Sequence, residues 1–169
     1  MPRPNLNRIP AWFHNYVNQV PENDLMEAMK KQTSFFINFF NELPIDKRNY
    51  RYAEGKWTIK EVLQHILDAE RVFAYRALCI ARKDTTSLPG FDENAYADNS
   101  KADKRDWDDL MEEFTAVRRS SEILFASFDE EQLEGTGTAN NNPIYVLAMG
   151  FVLVGHVNHH IRILKERYL

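Results

Sequence analysis

The sequence predicts an all-α protein, a four-helix bundle with a short N-terminal helical piece, and three observations carry that expectation. Four long stretches place apolar residues at helical spacing. Almost no stretch alternates in the manner of a strand, and cap and turn residues fall between the periodic stretches. The chain has 169 residues, 44% of them apolar, which suits one well-cored domain spanning 1–169 and is short for two.

The N-terminal piece runs from about Ala11 to Val20. The first long helix is predicted from about Glu22 to Glu42, with Leu25, Met29, Phe36, Phe40 and Leu43 on one stripe and Pro44 beyond its end. The second opens on the clearest local signal in the chain. In Trp57-Thr58-Ile59-Lys60-Glu61-Val62, Thr58 caps the backbone, Glu61 reaches back, and Trp57 with Val62 makes a hydrophobic staple. This helix is expected to reach about Arg82. A loop rich in turn formers follows, from Lys83 through Leu88-Pro89-Gly90 to about Ala102, long enough to cover a cleft. The third helix is predicted over Asp103 to Phe128, its inner stripe formed by Trp107, Leu110, Met111, Phe114, Val117, Ser121, Leu124 and Phe128 and its opposite face charged. After Gly135-Thr136-Gly137-Thr138-Ala139-Asn140-Asn141, Asn142 is expected to cap the fourth helix, with Pro143 at its first position. Four such amphipathic helices are the material of a bundle.

Composition excludes several classes of function. The 21 basic residues are outnumbered by 25 acidic ones and form no block, so the footprint that phosphate backbones demand is missing and nucleic acid is not an expected partner. The longest apolar run, Pro143 to Gly155, is too short for a bilayer and continues into histidine and charge; no membrane segment is expected. A single cysteine, Cys79, allows no internal disulfide framework and reads as a small buried hydrophobe. With no apolar secretory core near Met1, a cytoplasmic location is the default expectation.

The chemistry sits in the fourth helix. Gly155-His156-Val157-Asn158-His159-His160 interrupts an apolar stripe, and His156 and His160, four residues apart, project from one face with room for a metal ion between them. Two polar rings on adjacent buried turns are costly unless each finds a partner, and a shared cation satisfies both. Backbone carbonyls and water are the competing account. His65 borders the inner stripe of the second helix, where a hydrogen-bonded histidine at the edge of the core and a third ligand are both open readings; metal sites in bundles are built from facing helices. His159 falls with the polar residues Asn158, Arg162, Lys165 and Glu166 and is expected to be partly exposed or to support a ligand. His14 is expected to be solvated. Among the acids near His65, Glu61 has its capping role, Asp68 is expected to be solvated or salt-bridged, and Glu70 is a further neighbour; no catalytic residue is assigned.

The stretch Gly55-Lys56-Trp57-Thr58-Ile59-Lys60-Glu61-Val62-Leu63-Gln64-His65-Ile66-Leu67-Asp68-Ala69-Glu70-Arg71, the Leu88-Pro89-Gly90-Phe91-Asp92 loop and the closing Gly155-His156-Val157-Asn158-His159-His160 together resemble the DinB-like superfamily. The likeness runs from about Glu22 to Leu169. Each motif is modest in specificity, while their order and spacing are specific. The resemblance implies a four-helix bundle, commonly a homodimer, holding a divalent transition metal through His65, His156 and His160. It also implies metal-dependent chemistry of a hydrolase or a thiol S-transferase on a small-molecule substrate, a low-molecular-weight thiol being one such partner. Imidazole donors suit zinc, nickel, copper and iron, and zinc or nickel is the expected ion. The alternative is a non-catalytic module with a structural metal or a partner-binding face, which would require a closed fourth ligand and no cavity above the ion.

Overall fold

The computed structural model describes Met1 to Leu169. Seven helices and one hairpin follow in the order α1 (Ala11–Val17), α2 (Leu25–Asn41), α3 (Ile59–Ala81), α4 (Glu93–Ser100), α5 (Trp107–Ala126), α6 (Glu130–Glu134), β1 (Thr136–Ala139), β2 (Asn142–Tyr145) and α7 (Val146–Arg167). The four long helices expected from the sequence are α2, α3, α5 and α7. Both α2 and α3 pack against α5 and α7, so the consecutive helices α2 and α3 lie diagonally across the bundle. No helix is long and apolar enough to cross a membrane.

Local chemistry fixes the helix starts. Asp24 accepts a hydrogen bond from the Glu27 N–H at 2.9 Å and begins α2 three residues later than the apolar pattern suggests. At α3 the predicted capping box is present. The Glu61 N–H donates to Thr58 Oγ1 at 3.2 Å, and the Thr58 N–H donates to Glu61 Oε2 at 2.6 Å.

Two stretches depart from the expected pattern. Asn142 and Pro143 do not start the last helix; they belong to β2, where Ala139 pairs with Asn142 and Thr136 with Tyr145. Asn140 and Asn141 take φ of 50° and 60°, the left-handed pair that a two-residue hairpin turn needs and that asparagine tolerates. Helix α7 therefore begins at Val146. The stretch expected as loop between α3 and α5 contains α4, started by Asp92, whose Oδ1 accepts from the N–H groups of Asn94 and Ala95, both at 3.0 Å. Leu88 ties this segment to the hairpin by donating to the Thr138 carbonyl and accepting from the Asn140 N–H, each at 2.9 Å.

On α5 the buried stripe is broader than the one expected, of which Trp107, Leu110, Met111, Phe114, Ser121 and Phe128 are buried. It also takes in Arg118, Glu122 and Phe125, while Val117 and Leu124 are half-buried. Arg118 is fully buried and makes a two-pronged pair with Glu70 of α3, 2.8 Å on each prong, while its Nη1 donates to Gln32 of α2 at 2.8 Å. Gln32 in turn donates to the Val154 carbonyl and to Asn158 Oδ1 of α7, both at 2.6 Å. This polar layer joins all four long helices at mid-height and separates two apolar clusters. One contains Leu25, Met29, Phe125 and Phe151; the other contains Phe36, Leu63, Phe114 and Leu164.

Candidate metal centre

Helix α3 carries His65 and helix α7 carries His156 and His160 to the same level of the bundle, beside the polar layer. His156 Nε2 stands 3.0 Å from His65 Nε2 and 3.0 Å from His160 Nε2. The ligand atoms of all three lie within 4.8 Å of one another, and no other histidine, cysteine or carboxylate joins the group. His65 is held in place by packing, its ring 4.8 Å from that of Trp57, while its buried Nδ1 has no protein partner.

Protons alone do not satisfy this arrangement. His156 Nε2 offers either one N–H, which can point at only one of its two neighbours, or one in-plane lone pair, which would have to serve both, so one of the two contacts is poorly satisfied whichever tautomer is present. Burial lowers the pKa of His65 to about 4 and holds His156 and His160 well below the ordinary histidine value, the other rings of the cluster adding to the effect. The three are therefore neutral near pH 7, the form that coordinates metal. His65, His156 and His160 would each offer one nitrogen to a metal ion, and the two 3.0 Å separations from His156 Nε2 bring these donors close enough to share it. The donor set fits a divalent transition ion.

A cavity of about 360 Å³ opens in front of the cluster. Its walls come from α1 (Trp12, Phe13 and Tyr16), from Trp57 ahead of α3, from Phe73 and Arg76 of α3, from Phe91 and Glu93 at the start of α4, and from Asn140 in the hairpin turn. The segment between α3 and α5 thus covers a cleft. The close seat of α1 depends on Gly155, where an added Cβ would stand 2.0 Å from the Tyr16 carbonyl oxygen. Burial raises the Tyr16 pKa, with a smaller contribution from the Glu93 carboxylate.

The other singled-out residues take different places. His159 is half-buried on the cavity wall, its ring edge-on to Tyr16 at 5.5 Å, in keeping with its expected partial exposure. His14 is not simply solvated: its Nε2 sits 2.9 Å from the Leu6 carbonyl and 3.2 Å from that of Ile9, pinning the N-terminal turn. Asp68 accepts from Gln64 Nε2 at 3.0 Å and forms no ion pair, while Glu70 is occupied by Arg118. Cys79 is buried in the core. Tyr16, Arg76 and Glu93 were not apparent as site residues from the sequence. Only Arg76 leaves a trace there, eleven residues after His65, three turns along nearly the same helix face.

A model of the DinB superfamily matches residues 28–164. Among solved structures the chain is similar to YfiT from Bacillus subtilis, described as "a probable metal-dependent hydrolase with an unusual four-helix bundle topology", with a TM-score of 0.75 at 15% identity, covering 84% of this chain and 82% of that one. No curated protein matches the chain.

Proposed function

The chain belongs to the DinB superfamily, and from that membership we propose that it is a metal-dependent enzyme acting on a small-molecule electrophile. His65, His156 and His160 would hold one divalent transition ion, zinc or nickel, through their Nε2 atoms. The observation that carries this reading is three neutral nitrogens converging at the floor of a cavity, with no fourth side chain to close the set. A structural metal would call for a closed shell.

An ion held by neutral ligands keeps its double charge and, when bound, lowers the pKa of a coordinated water or thiol towards neutrality. The chain's own residues supply the rest. Trp12, Phe13, Trp57, Phe73 and Phe91 exclude bulk water and pack the substrate. Glu93, the one carboxylate on the wall, is placed to accept a proton, and Tyr16 and His159 offer further polar contacts. Hydrolysis and transfer from a low-molecular-weight thiol both begin with this machinery. The thiol reading follows from the family likeness.

Elemental analysis of protein purified without a nickel column tests the site. About one equivalent of ion is expected in the native protein and little in a variant with all three histidines replaced by alanine; equal content in both would overturn the assignment. The loaded protein is then incubated with a chromogenic electrophile, with and without a thiol. Thiol-dependent turnover identifies a transferase, thiol-independent turnover a hydrolase, and replacement Glu93→Gln should slow either.

A further inference from the structure

Two arginines are buried in this protein, and they are treated differently. Arg118 is fully compensated by Glu70. Arg76 is 6% exposed, pairs with no carboxylate, and has one protein hydrogen bond, from Nη2 to the Pro89 carbonyl at 2.6 Å. A guanidinium carries five N–H donors, so most of its hydrogen-bonding capacity has no protein partner. Arg76 lines the cavity in front of His65, His156 and His160 and, on its other side, a more open groove shared with Arg71 and Tyr75. An uncompensated buried cation is costly, and its burial here also works against the charged form.

We infer that Arg76 is the anion-binding subsite of this cavity and that the substrate carries a carboxylate. The inference deepens the reading above and rests on the same chamber. Several features favour a carboxylate over a phosphate: the planar fork of a single guanidinium matches a carboxylate in a two-pronged contact, and the wall offers no second cation. The wall's one carboxylate, Glu93, is exposed and forms no ion pair with Arg76, so it does not cancel the guanidinium's charge. With a dication on the histidines the chamber would be net positive, which selects an anionic molecule. Phe73 and Phe91, on the same wall, provide apolar surface for its body.

The probe is benzoate against its neutral isostere benzamide, followed by the fluorescence of Trp12 and Trp57, which line the chamber. Protein is titrated as purified and again after chelation. Native protein should bind benzoate roughly tenfold or more tightly than benzamide in both states, as expected for a charge-assisted contact. Arg76→Gln should abolish the preference while leaving bound-ion content unchanged, and Arg76→Lys should keep part of it. Equal binding of the two probes by native protein would overturn the inference and make Glu93 the counter-charge. A preference that survives Arg76→Gln but vanishes when the three histidines are replaced would overturn it too, assigning the carboxylate to the ion. Loss of bound ion from the triple-histidine variant tests the metal reading separately. Should Arg76→Gln not fold, the Nε–H resonance of Arg76, identified by its loss in Arg76→Lys, decides: it shifts with benzoate and not with benzamide, or the assignment fails.

Discussion

Three imidazoles packed nitrogen to nitrogen remain uncharged because proteins bury cations poorly, and that has a measurable consequence. In the metal-free protein the pKa of His65 is about 4, and burial holds those of His156 and His160 well below the ordinary histidine value of about 6.5 that the unfolded chain has. Between those values the unfolded state binds more protons, so stability rises with pH across the window. The contribution is complete above about pH 6.5 and is lost as pH falls towards 4. Thermal unfolding of the metal-free protein should therefore show a midpoint that drops between pH 7 and pH 5. Replacing the three histidines by alanine should flatten that slope; an unchanged slope would place its origin elsewhere. Neutral rings also keep their lone pairs in mild acid, so bound ion should persist at pH 5, where exposed histidines would release it.

At the level of elements, the site depends on how closely α1 approaches α7. Gly155 stands one residue before His156, and a Cβ there would meet the Tyr16 backbone rather than a flexible side chain. In an open helix Gly→Ala gains up to about 1 kcal/mol. Here Gly155→Ala should instead cost about 1–3 kcal/mol, because the backbone of α1 must shift. Urea unfolding decides the sign, and faster amide exchange in Ala11–Val17 would localise the effect. The capping box behaves in the ordinary way. Thr58→Ala should cost about 1 kcal/mol with bound-ion content unchanged, since Thr58 holds the start of α3 without touching the histidines.

Across the whole molecule, a polar layer divides the apolar interior into two clusters at the height of the histidine cluster. The Arg118–Glu70 pair is buried on both sides, so its attraction is offset by desolvation and its net contribution is small. Breaking it is a different matter. Arg118→Met leaves the Glu70 carboxylate uncompensated and should cost about 3–5 kcal/mol by chemical denaturation, whereas Arg118→Met with Glu70→Leu should recover most of the loss. Through Gln32 the layer reaches Asn158, between the proposed ligands His156 and His160 of α7, and so fixes the height at which α7 presents them. The single variant should thus also weaken ion retention, read as the chelator concentration that strips half the ion.

The sequence by itself determined the helical class, the four long helices, the capping box at Thr58 and the pairing of His156 with His160 on one face, because each is written in local spacing or capping grammar; it left His65 open by spacing, and only the family resemblance joined that residue to the pair. It misplaced the start of α7, since Asn142-Pro143 reads equally as a helix opening and as the return strand after an Asn-Asn turn, and only pairing with Thr136–Ala139 separates the two. It left Arg118 off the inner face of α5, since a helical wheel counts Arg118 as outward and cannot see the distant carboxylate that lets it point in. The cavity wall was likewise beyond it: Tyr16, Arg76 and Glu93 come from three separate elements whose approach is set by long-range packing. Charge compensation and close approach act between residues far apart in the chain, which is why the tertiary structure alone decided them.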